Sequence, residues 1–211
     1  MDSQFSTQIT LLYRTYIDVI KPLIAEIEVR YEKFPTPIFN EIRAFNDHIA
    51  RCHRQDISDL SIEDELRKAR GHIERIILDC YKFLNTSLHK NVIKKFDIRT
   101  KGVDLGAISN GTFFATYSEV KRFIKIHLKE AKLLETQDKE KSLEKYELAY
   151  NKISELEIFL IDNERHICWA RAKYYSSKVL KFIAWVLAFV FSGIISSLYI
   201  PWNRLFPFFS P

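Results

Sequence analysis

At 211 residues, with 47% hydrophobic and 14% aromatic content, the chain is long and apolar enough for one packed domain plus an anchor, which excludes general disorder. Only five glycines and six prolines occur, a scarcity that favours long helices over a turn-rich β fold. The formal charge of +5 is spread over interleaved acids and bases, so a dedicated nucleic-acid surface is not indicated, and part of the excess sits just before a C-terminal apolar run.

The first twenty residues carry Asp2, Arg14 and Asp18 and no uninterrupted apolar core, so no signal peptide is expected. The pattern predicts a first helix from about Phe5 to Lys33, kinked or divided by Pro22. Pro35-Thr36-Pro37 then punctuates, with Thr36 as N-cap and Pro37 at the first position of a second helix reaching about Arg54. Ile38, Ile42, Phe45 and Ile49 keep helical spacing in it. Ser61 and Asp64 resemble a capping box for a third helix, in which Ile62, Leu66, Ala69, Ile73, Ile76, Cys80 and Phe83 follow the rhythm of a bundle seam.

Thr100 to Gly111 holds three glycines and reads as a loop, followed by a fourth helix from Thr112 to about Thr136–Asp138. No Gly or Pro occurs between Thr112 and Ser192, so a fifth helix is expected to run unbroken from Lys139 into the apolar run, roughly 90 Å in all at about 1.5 Å per residue. The predicted fold class is all-α: a cytoplasmic bundle of four to five helices over 1–138, a long helix or stalk packing on it over 139–181, one transmembrane helix over 182–200, and a short aromatic tail over 201–211.

The anchor is the strongest signal. Phe182 to Ile200 is an uncharged stretch of 19 residues, roughly 28 Å at about 1.5 Å per residue, close to the thickness of a bilayer core. Arg165, Arg171, Lys173, Lys178 and Lys181 precede it and only Arg204 follows, which places the preceding domain in the cytoplasm by the positive-inside bias. Trp202, Phe206, Phe208 and Phe209 suit the far interface. The glycosylation-like triplets Asn85-Thr86-Ser87 and Asn110-Gly111-Thr112 are without meaning for a cytoplasmic domain. Ala184, Ala188, Ser192 and Ser196 recur every fourth residue, a ladder of small side chains that lets another membrane helix approach and hints at self-association.

Two segments of the soluble part carry candidate chemistry. In the first, Glu41 and His48 are seven apart and share a helical stripe, Asp47 adjoins His48, and Arg43 points about 140° away from His48. In the second, His72, Arg75 and Asp79 share one stripe beside the seam, where Asp79 is expected to partner His72 or Arg75. Packed together, these borders would form one buried network of His, Arg, Asp and Glu. Either it specifies helix register, or it is an RNA-cleaving site with His48 as general acid or base and Arg43 stabilising developing phosphorane charge. Cys52, Cys80 and Cys168 are an odd, unpatterned set, expected to be reduced. His48 and Cys52 are four apart without a second pair at ligand spacing, and no phosphate-cradling glycine loop occurs, so neither metal nor cofactor is expected.

A helical bundle with Arg43-x4-His48 on a helix resembles the HEPN superfamily, many of whose members are RNases built from paired subunits in prokaryotic defence. Joined to a membrane helix, it is similar to the membrane-anchored HEPN-like accessory proteins of CRISPR type VI systems, which are associated with oligomeric membrane pores. The resemblance covers Asn40 to Asp79 and the general architecture; Ala44 stands where active members usually carry a polar residue, and the motif lies on the second helix rather than late in the domain. It implies membrane lipid, further copies of the chain, and RNA or an RNA-guided effector protein as partners. Three functions follow, in order: an oligomeric effector that perturbs or permeates the bilayer, a membrane-tethered RNase using Arg43 and His48 across a dimer, and a non-catalytic membrane adaptor.

Overall fold

The computed structural model describes residues 3–31, 34–54 and 58–199, and these are helical almost throughout, with no strand among them. The helices are α1 (Ser3–Thr15), α2 (Lys21–Tyr31), α3 (Thr36–Cys52), α4 (Asp59–Leu88), α5 (Lys95–Arg99), α6 (Thr112–Leu134), α7 (Lys139–Asp162) and α8 (Glu164–Tyr199). Lys33, Ile200 and the aromatic tail with Trp202, Phe206, Phe208 and Phe209 lie outside the described residues.

The first helix is divided just ahead of Pro22, into α1 and α2, without a break in the chain's helical course. A proline removes one backbone donor and crowds the carbonyl four residues back. The chain accommodates this by widening into a π-helical turn at Tyr16–Ile20 and resuming α geometry as α2. The caps differ from expectation by a few positions. Pro35, not Thr36, is the residue before α3, with extended backbone and its carbonyl accepting from the Phe39 N–H at 3.3 Å. Ser58, not Ser61, caps α4: its hydroxyl accepts from the Ser61 N–H at 3.4 Å. The expected unbroken run from Lys139 is interrupted at Asn163, between α7 and α8. Asp162, Asn163 and Glu164 are three short or acidic polar residues in succession, and the Asn163 carbonyl opens α8 by accepting from the Ile167 N–H at 3.0 Å.

The chain forms two compact units. The first runs up to Ile98 and again from Tyr117 to Phe159. Its core is the seam foreseen on α4, where Ile62, Leu66, Ala69, Ile73, Ile76 and Cys80 are buried and Phe83 is half-buried against Tyr31. Ile38, Phe45 and Ile49 of α3, Ile20, Leu23 and Ile27 from around α2, and Ala131 and Tyr146 complete it. Phe45 is fully buried, with Tyr13 edge-on at 5.4 Å and Tyr16 stacked at 6.4 Å between ring centres. Polar ties fix the outer helices: Ser142 donates to the Ala131 carbonyl at 2.8 Å, and Arg30 grips Glu157 with contacts of 2.8 and 3.1 Å. Asn85, the first residue of a glycosylation-like triplet, is buried and donates to the Tyr146 carbonyl at 2.8 Å, so it is a packing residue.

The second unit takes Arg99–Thr116 and the described chain from Leu160 to Tyr199. Leu105, Ile108 and Phe113 are buried in it with Ile167 and Ala170, and Arg99 pairs with Glu164 at 2.7 Å. Gly102, at φ +80°, packs so closely that a β-carbon there would lie 2.5 Å from the Tyr174 hydroxyl, which only glycine permits.

Candidate functional site

The polar cluster of the first unit arises from how α3 and α4 align. Glu41 and His48 lie two turns apart on α3; Glu65 and His72 lie two turns apart on α4. Residue numbers rise along one helix as they fall along the other, so each histidine meets the opposite helix's carboxylate. His48 Nδ1 lies 2.7 Å from Glu65 Oε2, and His72 Nδ1 lies 2.6 Å from Glu41 Oε2. The two imidazoles stack between these pairs with centres 5.0 Å apart. Arg75 closes one end, its Nε donating to Glu41 at 2.8 Å, while Arg51 stands 3.7 Å from Glu65 at the other.

Four of the expected network residues therefore meet: Glu41, His48, His72 and Arg75. Glu65, not singled out from sequence, completes it. Asp47 is exposed and has no side-chain hydrogen bond or ion pair among the described residues, so it is no part of a buried network. Asp79 pairs with neither His72 nor Arg75 among the described residues, because Glu41 reaches both first. Burial, helped by the Glu41 and Glu135 carboxylates, pushes the Asp79 carboxyl up against the opposing pull of Lys82 and Arg75. Arg43 is exposed and, among the described residues, has no hydrogen bond or ion pair with a member of the cluster. The cations at the cluster are Arg75, 2.7 Å from His72 Nδ1, and Lys68 and Arg51, at 3.1 and 3.7 Å from Glu65.

Electrostatically the cluster is balanced. Burial opposes ionisation of Glu41, yet hydrogen bonds from Arg75 and His72 outweigh it and hold its carboxyl below the usual range. The hydrogen bond from His48 does the same for Glu65, against a smaller burial cost and with help from Lys68. Chemically, a carboxylate on Nδ1 orients an imidazole and leaves Nε2 to exchange a proton. A nucleophile is lacking beside it: the Cys52 thiol is turned back onto the His48 carbonyl at 3.3 Å, and burial and the Glu65 charge push it up, away from thiolate. Among the described residues no group of three or more His, Cys, Asp or Glu side chains is arranged to hold a metal ion.

The second candidate is α8. Glu164–Ser196 contains the one span among the described residues long and apolar enough to cross a membrane, with a mean hydropathy of 2.2, and none of that window is buried. Phe182, Trp185 and Phe189 stack in sequence at 6.4 and 6.0 Å along one stripe, all largely exposed. Leu180, Leu187, Phe191 and Ile195 are exposed as well, so the segment does not fold back into a protein interior. Ala184, Ala188 and Ser192 lie uncovered on it and Ser196 half-covered, so the surface of the ladder is open to another helix. Compared with known proteins, the chain matches no family model, no curated protein and no solved structure.

Proposed function

We propose that this chain is a membrane-anchored α-helical effector that acts as a homo-oligomer, with α8 as the element that perturbs or lines a path through the bilayer. The observation that carries the reading is the uncovered apolar surface of α8. Water contact with Phe182, Trp185, Phe189, Phe191 and their neighbours is costly, at about 25 cal/mol per Å² of apolar area, and lipid removes that cost. The basic residues from Arg165 to Lys181 favour the orientation with the helical units in the cytoplasm. The Ala184–Ser196 ladder supplies the close-packing face that self-association within the membrane requires. Its four-residue period drifts about 40° per step around a straight helix, which suits helices that cross rather than run parallel. The resemblance to HEPN-like accessory proteins would set such an effector in prokaryotic antiviral defence, next to an RNA-guided partner.

The RNase alternative draws less support. His48 is engaged by Glu65 and His72, and Arg43 stands apart from both, which suits a register-setting role for the cluster. The decisive measurement is the mass of the full-length protein in detergent or nanodiscs. An oligomer that Ala188→Leu and Ser192→Leu reduce to monomer supports the effector reading, and a monomeric wild-type protein refutes it.

A further inference from the structure

We infer that the segment of α8 just before the apolar run, together with Lys101 of the loop packed on it, is a docking collar for anionic phospholipid headgroups. The inference rests on the membrane reading above and adds the partner's chemistry to it. Between Arg165 and Lys181 the sequence holds five Lys and Arg residues and no Asp or Glu. Of the nearby acids, Glu164 is engaged by Arg99 at 2.7 Å and Asp104 by the Gly106 N–H at 3.0 Å, while Asp162 is exposed one turn before Arg165.

The five cations are spread around the helix, and two of them share one side. Arg171, Tyr174 and Lys178 follow one helical stripe. Tyr174 is also where the loop lands, since Gly102 lies against its hydroxyl, and the neighbouring Lys101 is exposed. Lys178 Nζ sits 4.6 Å from the centre of the Tyr174 ring, and Lys173 Nζ sits 5.1 Å from that of Trp169. Arg171 Nε is buried with no hydrogen-bond partner. The Arg171 charge, which also acts on the Glu164 carboxylate, adds to the positive field over this stretch of the helix. Lys178 is roughly 6 Å and Tyr174 roughly 12 Å before Phe182 along the helix, at about 1.5 Å per residue. A headgroup layer about 5–8 Å deep takes in Lys178, and the collar's upper cations stay within about a Debye length, roughly 8 Å, of it. Phosphate of RNA offers the same charge, but only a lipid surface continues into the apolar face that starts at Val179.

The test uses the full chain in two arms. Carbonate-resistant association with phosphatidylcholine vesicles reports the anchor alone. In reconstituted bilayers, spin-labelled phosphatidylglycerol is then compared with spin-labelled phosphatidylcholine in the lipid shell of the protein. The expected result is enrichment of the anionic lipid, reduced about fivefold by Lys101→Gln and again by Lys178→Gln, and restored by Lys101→Arg. Failure in the first arm removes the membrane reading and the collar with it. Normal anchoring with equal enrichment of both lipids, with a Lys101→Gln protein indistinguishable from wild type, or with displacement of the anionic lipid by an RNA oligonucleotide overturns the collar alone.

Discussion

Replacing His48 by alanine separates a register-setting cluster from a catalytic one. The His48 side chain is 15% exposed and that of Glu65 13%, so their contact at 2.7 Å is well shielded. A charge-assisted hydrogen bond in such a place contributes about 1.5–3 kcal/mol. The ring stack on His72 adds roughly 0.5–1 kcal/mol. Some of this is recovered, because Lys68 at 3.1 Å and Arg51 at 3.7 Å still neutralise Glu65 in the variant. The net loss is about 2 kcal/mol, or a fall of about 4–8 °C in the thermal midpoint for a protein of this size. Arg43→Ala, at an exposed site with no partner in the cluster, is expected within about 0.5 kcal/mol of wild type. Thermal unfolding followed by far-ultraviolet circular dichroism measures both, alongside cleavage of single-stranded RNA. An unchanged midpoint in the His48→Ala protein, with RNA cleavage lost in both variants, would refute the structural role and restore the nuclease reading.

Three further outcomes are expected. Glu41→Gln removes a carboxyl held below its ordinary range, so its cost is full above about pH 4.5 and vanishes as pH falls through the lower folded value; a stability gap that stays flat through acid unfolding contradicts this. Gly71 sits inside α4, and the nearest atom to the place a β-carbon would take is Arg75 Nη1 at 3.8 Å, an ordinary contact. Gly71→Ala should therefore stabilise by about 0.5–1 kcal/mol in urea titration, and a loss of stability would argue against that spacing. In the native protein a maleimide should label Cys168 alone, because it is exposed while Cys52 and Cys80 are buried and burial pushes the Cys80 thiol up to about 12; rapid labelling of all three would mean that the α3–α4 core is open.

Much of the fold was legible because helical periodicity is local. The α4 seam from Ile62 to Cys80 and the α3 face with Ile38, Phe45 and Ile49 are buried as their spacing implied. Helix ends were less legible. Ser58 and Ser61 are equally good caps by residue type, and the residue types alone do not decide that α4 starts at Asp59. Asn163 divides α7 from α8 without a glycine or proline to announce it. The candidate site was half legible for the same reason. Stripes such as Glu41–His48 follow from one helix, whereas the pairing of Glu41 with His72 depends on the register between two. Asp79 therefore looked as suitable a partner as Glu41, and the i, i+7 relation of Glu65 to His72 was the one available signal for Glu65.

The placement of the indoles makes α8 its own spectroscopic window. The sequence has three tryptophans, at 169, 185 and 202, and none in the helices of the larger unit. Trp185 stands between Phe182 and Phe189, Trp169 lies beneath Lys173 about sixteen residues upstream, and Trp202 follows the helix in sequence, so native emission samples the apolar helix and its flanks while the α3–α4 pairing stays dark. Quenching by lipids brominated at graded depths would thus test whether this helix enters a bilayer and to what depth, with no label attached and no residue changed.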